Sequence, residues 1–406
     1  MHIITRLILG GAQENTILTC EGQHADGHEV TLITGPTAGP EGQLVDRAKA
    51  GGYKIIEIEP LIRAVHPIKD HFAYKQLKKV LAELAPDIVH THSAKAGILG
   101  RSAAEHVRKH IANDACCSIT AKVNEAHLRT CGRPRIVHTI HGLAFHPFQS
   151  NLKNKLYIAA EKHVADQTDA FISVAQAMTD QALAAGIGTP EKYHKVFSGM
   201  ETENYTHELS NTEKQAIRDE FNIPQDALVI ATVARLFELK GHEYVIRSAT
   251  KLASKFPQAI WLFVGDGILQ DDLKKQIANA SLTDRFRFAG LVPPQRVGPI
   301  LQACDMLVHP SLREGLARTL PQSLLCGKPA ISFDVDGAKE VIKNDQTGYL
   351  VKAKDIEGLV QAQEKLLADE QLRIKLGQQG KAFCIKEFDH KLMVERIQRV
   401  YNSIMR

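Results

Sequence analysis

The segment Ala231-Thr-Val-Ala-Arg235-Leu-Phe-Glu-Leu-Lys240-Gly241-His242 sets two cations after an apolar run and a glycine where a helix opens. Glycine permits close backbone approach, and the first turn of a helix offers unbonded N–H groups and the positive end of its dipole. Arg235 and Lys240 beside such a turn suit a diphosphate whose charge grows as its bond to a sugar breaks. Spacing alone does not separate that chemistry from two ordinary surface cations. A second segment, Pro310 to Gln322, follows another apolar run and carries Glu314, Gly315 and Leu316. A carboxylate at Glu314 can accept hydrogen bonds from sugar hydroxyls, and the Gln322 amide can reach a ribose hydroxyl. A lone loop glutamate is nevertheless a solvated charge in most proteins.

Other polar residues carry weaker signals. His138, His141 and His146 invite a metal reading, as do His90 and His92 on one face of a strand. No Asp or Glu completes a familiar ligand spacing, and imidazoles at a strand end equally bind sugar hydroxyls, so no metal site is expected. Asp334-Val335-Asp336 resembles a metal–diphosphate Asp-x-Asp pair, but it lies late in the chain and two cations already suit the phosphates. It reads as a loop with Gly337 and Glu340 nearby. Neither Gly265-Asp266-Gly267, followed by Gln270, nor Gly10-Gly11 completes Gly-x-Gly-x-x-Gly, which argues against an oxidoreductase.

These residues must be positioned by elements, and the pattern supplies them. Short apolar runs alternate with amphipathic stretches from end to end, the signature of βαβ units and parallel sheets. Strands are predicted at Ile3–Thr5, Val30–Thr34, Ile55–Ile58, Ile88–His90, Ile136–Ile140, Ala170–Val174 and Lys195–Phe197. After a polar linker, Glu201–Ser210, further strands are predicted at Leu228–Val233, Ile260–Val264, Phe286–Ala289, Met306–His309, Ala330–Phe333 and Tyr349–Val351. The pattern implies an α/β protein of two doubly wound domains, residues 1–205 and 206–386, facing a cleft at the carboxyl ends of their strands. A last helix, within 387–406, is expected to pack back on the first domain. Between Gly100 and Ile136 the crossover is lengthened, through Asn113–Ser118 and Asn124–Arg133, by what reads as a solvent-facing insertion.

Size and composition agree. A chain of 406 residues suits two domains, and 44% hydrophobic with 24% charged residues describes a globular protein. A net charge of +4 does not suggest a nucleic-acid partner. No run approaches the ~18 apolar residues of a membrane span, and no secretory signal opens the chain, so a cytoplasmic location is expected. The seven cysteines then read as reduced thiols; Cys116, Cys117 and Cys131 cluster without a Cys-x-x-Cys pair.

Taken together, Arg235, Lys240-Gly241, Gly265-Asp266-Gly267, Ser311 to Gln322, Gly327-Lys328-Pro329, Phe333 to Val341 and Thr347-Gly348 resemble the family 4 glycosyltransferases in order and spacing. The first half is similar through Gly10-Gly11-Ala12-Gln13, Gly27-His28-Glu29-Val30, Pro86 to His92 and His138 to Gly142. The resemblance implies the two-domain GT-B fold and metal-independent transfer, with retention, of a hexose from a nucleotide diphosphate to a hydroxyl, with no resident cofactor. It implies that Arg235 and Lys240 bind the donor diphosphate and Glu314 the transferred sugar. Gln322 stands where the family usually has a second glutamate, facing the ribose; Gly10 and Gly11 would approach the diphosphate and His141 the reacting sugar. Relatives imply a UDP-sugar donor and a glycan or lipid-linked acceptor. Arg63–Lys79 and Asn151–His163, cationic beside apolar residues, would touch the inner membrane surface, unless they are solvated helix faces. An epimerase of the same fold and a non-catalytic nucleotide-sugar-binding protein are the competing functions, and oligomeric state is not legible.

Overall fold

A computed structural model of the chain describes residues 1–37, 44–117 and 133–406. It divides into two compact units, Met1–Met200 with His390–Arg406, and Glu201–Asp389. The first boundary falls before 205 because Tyr205 is buried in the second unit, against Gly298.

The first unit is built on a parallel sheet of strands β1 (His2–Ile3), β2 (Thr31–Thr34), β3 (Lys54–Glu57), β4 (Ile88–His92), β5 (Arg135–Ile140), β6 (Ala170–Ser173) and β7 (Tyr193–Lys195). Their order is β3-β2-β1-β4-β5-β6-β7, so the winding reverses between β1 and β4. Successive strand residues point to opposite faces, and each face meets its own helices. Ile3, Val89 and Ile136 pack with Leu77, Leu81, Ala103 and Val107 of helices Pro67–Leu84 and Ala94–Cys117. Val137, Ala170 and Ile172 pack with Leu18 of helix Gly11–Ala25 and with Met393, Val394, Ile397, Val400 and Tyr401 of helix His390–Met405. That last spacing is one apolar stripe of a helix.

Two expectations shift here. The edge strand expected at Lys195–Phe197 runs Tyr193–Lys195, because its neighbour β6 ends at Ser173, whose carbonyl takes a last bond from the Val196 N–H at 3.0 Å. The stretch after Gly100, expected as a solvent-facing insertion, begins as helix, since Ala96, Ala103, Ala104 and Val107 form a buried stripe. Within that helix Arg101 is fully buried, with its guanidinium 2.6 Å from Glu161. Cys116 and Cys117 close the helix; Cys131 and most of Asn124–Arg133 lie outside the described residues.

The second unit holds β8 (Leu228–Val233), β9 (Ala259–Val264), β10 (Phe286–Gly290), β11 (Met306–His309), β12 (Ala330–Phe333) and β13 (Gly348–Val351), all parallel. Their order is β10-β9-β8-β11-β12-β13. Strand β9, Ala-Ile-Trp-Leu-Phe-Val, is buried throughout, as a strand covered on both faces must be. Trp261 and Phe263 join Val245, Ala249 and Leu252 of helix His242–Leu252 in the core. Ser210 and Glu213 form a reciprocal cap that opens helix Asn211–Glu220.

Among the described residues no helix is long and apolar enough to cross a membrane. Cys20, Cys304, Cys326 and Cys384 are buried free thiols.

Candidate active site

In the second unit the winding reverses between β8 and β11, the point of such a sheet whose carboxyl-end loops bind ligands. Backbone hydrogen bonds lash the neighbouring loops together. Leu236 N donates to Asp266 O at 2.9 Å, Leu312 N to Leu239 O at 2.8 Å, and Gly337 N to Gly315 O at 3.1 Å. Two glycines make this approach possible. Gly241 has φ +78°, and a Cβ there would lie 2.0 Å from Pro310 O; at Gly265, φ +141°, it would lie 2.1 Å from Ala234 O. No other residue fits either place.

These loops hold a compact charge cluster. Lys240 Nζ donates to Glu314 Oε1 at 2.5 Å, and His309 Nε2 lies 3.2 Å from the same oxygen. Burial alone would raise the Glu314 carboxyl, but the Lys240 ammonium and His309 outweigh it and hold it far below the usual carboxylate range. The Lys240 and Glu314 side chains keep 25% and 18% exposure, so both reach solvent. Asp336 Oδ2 accepts a 2.7 Å bond from the Glu314 backbone N–H, which fixes the loop carrying the carboxylate. That contact explains the Asp-Val-Asp segment: Asp336, at φ +48°, braces Glu314. Arg235 leaves β8 in the same loop, its guanidinium 5.0 Å above the Phe237 ring.

The remaining candidates are dispersed. Gly315 and Leu316 continue from Glu314, and Leu316 is buried. Gly267 N–H donates to the exposed Asp266 carboxylate at 2.7 Å. Gln322 is buried on helix Thr319–Leu325, and its amide N–H donates to Tyr205 Oη at 2.8 Å, so one of the donors expected to face a ribose is already engaged. In the first unit, extended Gly10 caps helix Gly11–Ala25 and places Gly11 in its first turn. His141 follows β5, with Nε2 3.1 Å from His92 Nδ1.

The histidines behind His141 form hydrogen bonds rather than an evident ligand set. His2, His90 and His92 bring ring nitrogens close together, yet both nitrogens of His90 are engaged at 2.6 Å, one by Tyr401 Oη and one by Thr139 Oγ1. His138 Nδ1 meets Thr91 Oγ1 at 2.9 Å. Burial first, then neighbouring imidazoles, keeps His90 and His92 well below their ordinary pKa. Burial, and then the amino terminus, lowers His2 to about 3.

Sequence reasoning missed His309 and Asp336 as partners of Glu314. His309 was findable as a titratable residue ending a strand five positions before the carboxylate; Asp336 was not, because its role is a contact between separate loops.

Residues 10–196 match the glycosyl transferase 4-like domain and residues 213–383 match glycosyl transferases group 1, together most of the chain. The chain is 25% identical over 404 residues to UDP-Gal:alpha-D-GlcNAc-diphosphoundecaprenol alpha-1,3-galactosyltransferase of Escherichia coli, covering 98% of this chain and 95% of that protein. It is 26% identical over 350 residues to EpsD of Bacillus subtilis (strain 168), classed as a glycosyltransferase, covering 85% and 84%. Among solved structures, Anabaena Alr3699/HepE with UDP and glucose superposes with a TM-score of 0.79 at 18% identity, covering 99% of this chain and 98% of that one.

Proposed function

The chain belongs to the family 4 glycosyltransferases of GT-B fold, and from that membership we propose that it moves a hexosyl group, with retention and without a metal, from a UDP-sugar to a glycan or lipid-linked hydroxyl. One observation carries this reading: Lys240 and Glu314 meet at 2.5 Å where the loops leaving β8 and β11 come together. A diphosphate and a sugar need opposite charges side by side, and this pair supplies them.

In this reading the second unit binds the donor. Lys240 and Arg235 neutralise the diphosphate, Gly265, Asp266 and Gly267 border it, and Glu314 accepts hydrogen bonds from the sugar hydroxyls. Gly315 and Leu316 hold the Glu314 turn, and Gln322 reaches a ribose hydroxyl only through its remaining hydrogen-bonding capacity. In the first unit, Gly10 and Gly11 offer close backbone approach to a phosphate, and His141 offers an imidazole to a sugar hydroxyl. The bond from the anomeric carbon to the phosphate oxygen breaks, the acceptor oxygen bonds to that carbon on the same face, and its proton passes to the departing phosphate. Such catalysis rests on positioning and fixed charge, each worth several kcal/mol. No resident cofactor takes part.

The donor and acceptor are supported by the name of the E. coli relative, which moves galactose from UDP-Gal to a diphosphoundecaprenol-linked sugar, and by the UDP in the HepE structure. A lipid-linked acceptor also agrees with exposed apolar residues beside cations: Ile68 and Phe72 near Lys69 and Lys75, and Leu152 and Leu156 near Lys153 and Lys155. The enzyme then rests on the cytoplasmic face of an anionic membrane. Screening a panel of nucleotide sugars for transfer or thermal stabilisation tests the donor: UDP-sugars should stand out, and a response to GDP-sugars alone would overturn that assignment. Activity should survive excess chelator; its loss, with recovery on adding Mg²⁺ or Mn²⁺, ends the metal-free reading. Flotation with anionic vesicles should recover the protein, and recovery of none removes the membrane contact.

A further inference from the structure

Behind His141 runs an unbroken line of buried polar groups that ends on an amide. His141 Nε2 is 3.1 Å from His92 Nδ1, His92 Nε2 is 3.0 Å from His2 Nδ1, and His2 Nε2 is 2.8 Å from Gln23 Oε1. His2, His92 and Gln23 are all nearly inaccessible to solvent. Parallel pairing of β1 with β4 sets His2 beside His90, while His92 lies two residues on, on the same face. Each ring–ring link joins two imidazole nitrogens, so each needs one donor and one acceptor.

The geometry points to a tautomer relay in which Gln23, His2 and His92 are positioning residues that fix the proton of His141 on Nε2 and leave Nδ1 as its acceptor. The direction follows from the terminal group. An amide oxygen only accepts, so His2 carries its proton on Nε2 and offers Nδ1. His92 must then donate from Nε2 and accept at Nδ1, and His141 must donate from Nε2. Burial first, then the amino terminus at His2 and the neighbouring imidazoles at His92, keeps the supporting rings neutral near pH 7, which preserves one donor and one acceptor on each. The chain sends no proton onward, since the amide cannot take one. It supplies orientation, and His141 meets a sugar hydroxyl as a hydrogen-bond acceptor with its ring already set. This last step rests on the role proposed above for His141; the tautomers do not.

Nitrogen NMR of the full chain with labelled histidine, assigned by single replacements, reads each ring directly. Protons on Nε2 of His2, His92 and His141 are expected. A proton on Nδ1 of any of the three overturns the relay, as a reversed Gln23 amide would turn every link round. In kinetics, His92→Leu should lower kcat about tenfold with the donor KM within about twofold, the scale of one hydrogen bond. His92→Gln, able to accept and donate across a similar span, should restore most of the rate. Equal losses in both variants, or no loss in either, contradict the positioning role; if either variant fails to fold, the tautomers of the unaltered chain decide. Full activity in His141→Ala, with Nε2 protons found on all three rings of the unaltered chain, would sink the role given to His141 and not the relay.

Discussion

The two units place polar side chains at the same point of their topology, beside the strand pair where the winding reverses, and fill it with opposite chemistry. Between β8 and β11 the second unit keeps a charged pair, Lys240 and Glu314, open enough to exchange partners with a substrate. Between β1 and β4 the first unit keeps neutral imidazoles, His2, His90 and His92, sealed from water. A charge that must be handed to a ligand is best left partly solvated, because full desolvation would cost more than the attraction returns. A group that must only keep its direction is best buried, because a missed hydrogen bond is costly there. One unit stores charge and the other stores orientation.

The largest test of that division is Lys240→Ala. It removes the fixed cation and leaves Glu314 without its ammonium, so turnover at saturating donor should fall on the order of a hundredfold or more. Near-normal turnover would detach the second unit's charge from the reaction. Glu314→Gln keeps the shape and loses the charge; initial rates should fall about thirtyfold, the value of a hydrogen bond to an ionised group.

Acidification separates the units next. The imidazoles of the first unit are depressed when folded, His2 to about 3, against about 6.5 when unfolded. Their contribution is therefore fully present above pH 6.5. Below it the unfolded chain takes up protons that the folded chain refuses, and stability falls by about 1.4 kcal/mol per pH unit for each imidazole. Urea unfolding between pH 7 and 5 should show that slope, reduced by one share in His92→Gln. Glu314, depressed as a carboxylate, contributes above an unfolded value of about 4.3, so it should add no slope in this range. A flat profile would mean that the buried rings are charged. The smallest effect is expected from Asp336→Ala, which loosens the Glu314 loop and should lower kcat roughly fivefold through one lost hydrogen bond.

Much of the fold was legible because parallel strands covered on both faces leave continuous apolar runs. Leu228–Val233, Met306–His309 and Ala330–Phe333 were read at their observed bounds for that reason. Phe197 misled because apolarity reports burial and not where a neighbouring strand ends. The Ala94–Cys117 helix was underread because its buried arginine and small residues mimic a polar surface, and its partner Glu161 lies far along the chain. At the site, Lys240 and Glu314 were legible from spacing and resemblance. His309 and Asp336 gain their meaning only when loops separated in sequence come together. His90 and His92 were visible as one face of a strand, but the line through His2 to Gln23 depends on the pairing of β1 with β4, which no local pattern encodes.

The stripe on helix His390–Met405 has a consequence for how the molecule is made. Leu18, Val137 and Ile172 have their cover only when Met393, Val394 and Ile397 arrive, and the intervening unit is threaded between them in the chain. During synthesis the amino-terminal half therefore waits, with an apolar face uncovered, until residues 390–405 have left the ribosome. Nascent chains halted near Met200 should stay protease-sensitive, and a chaperone has most to protect in that interval.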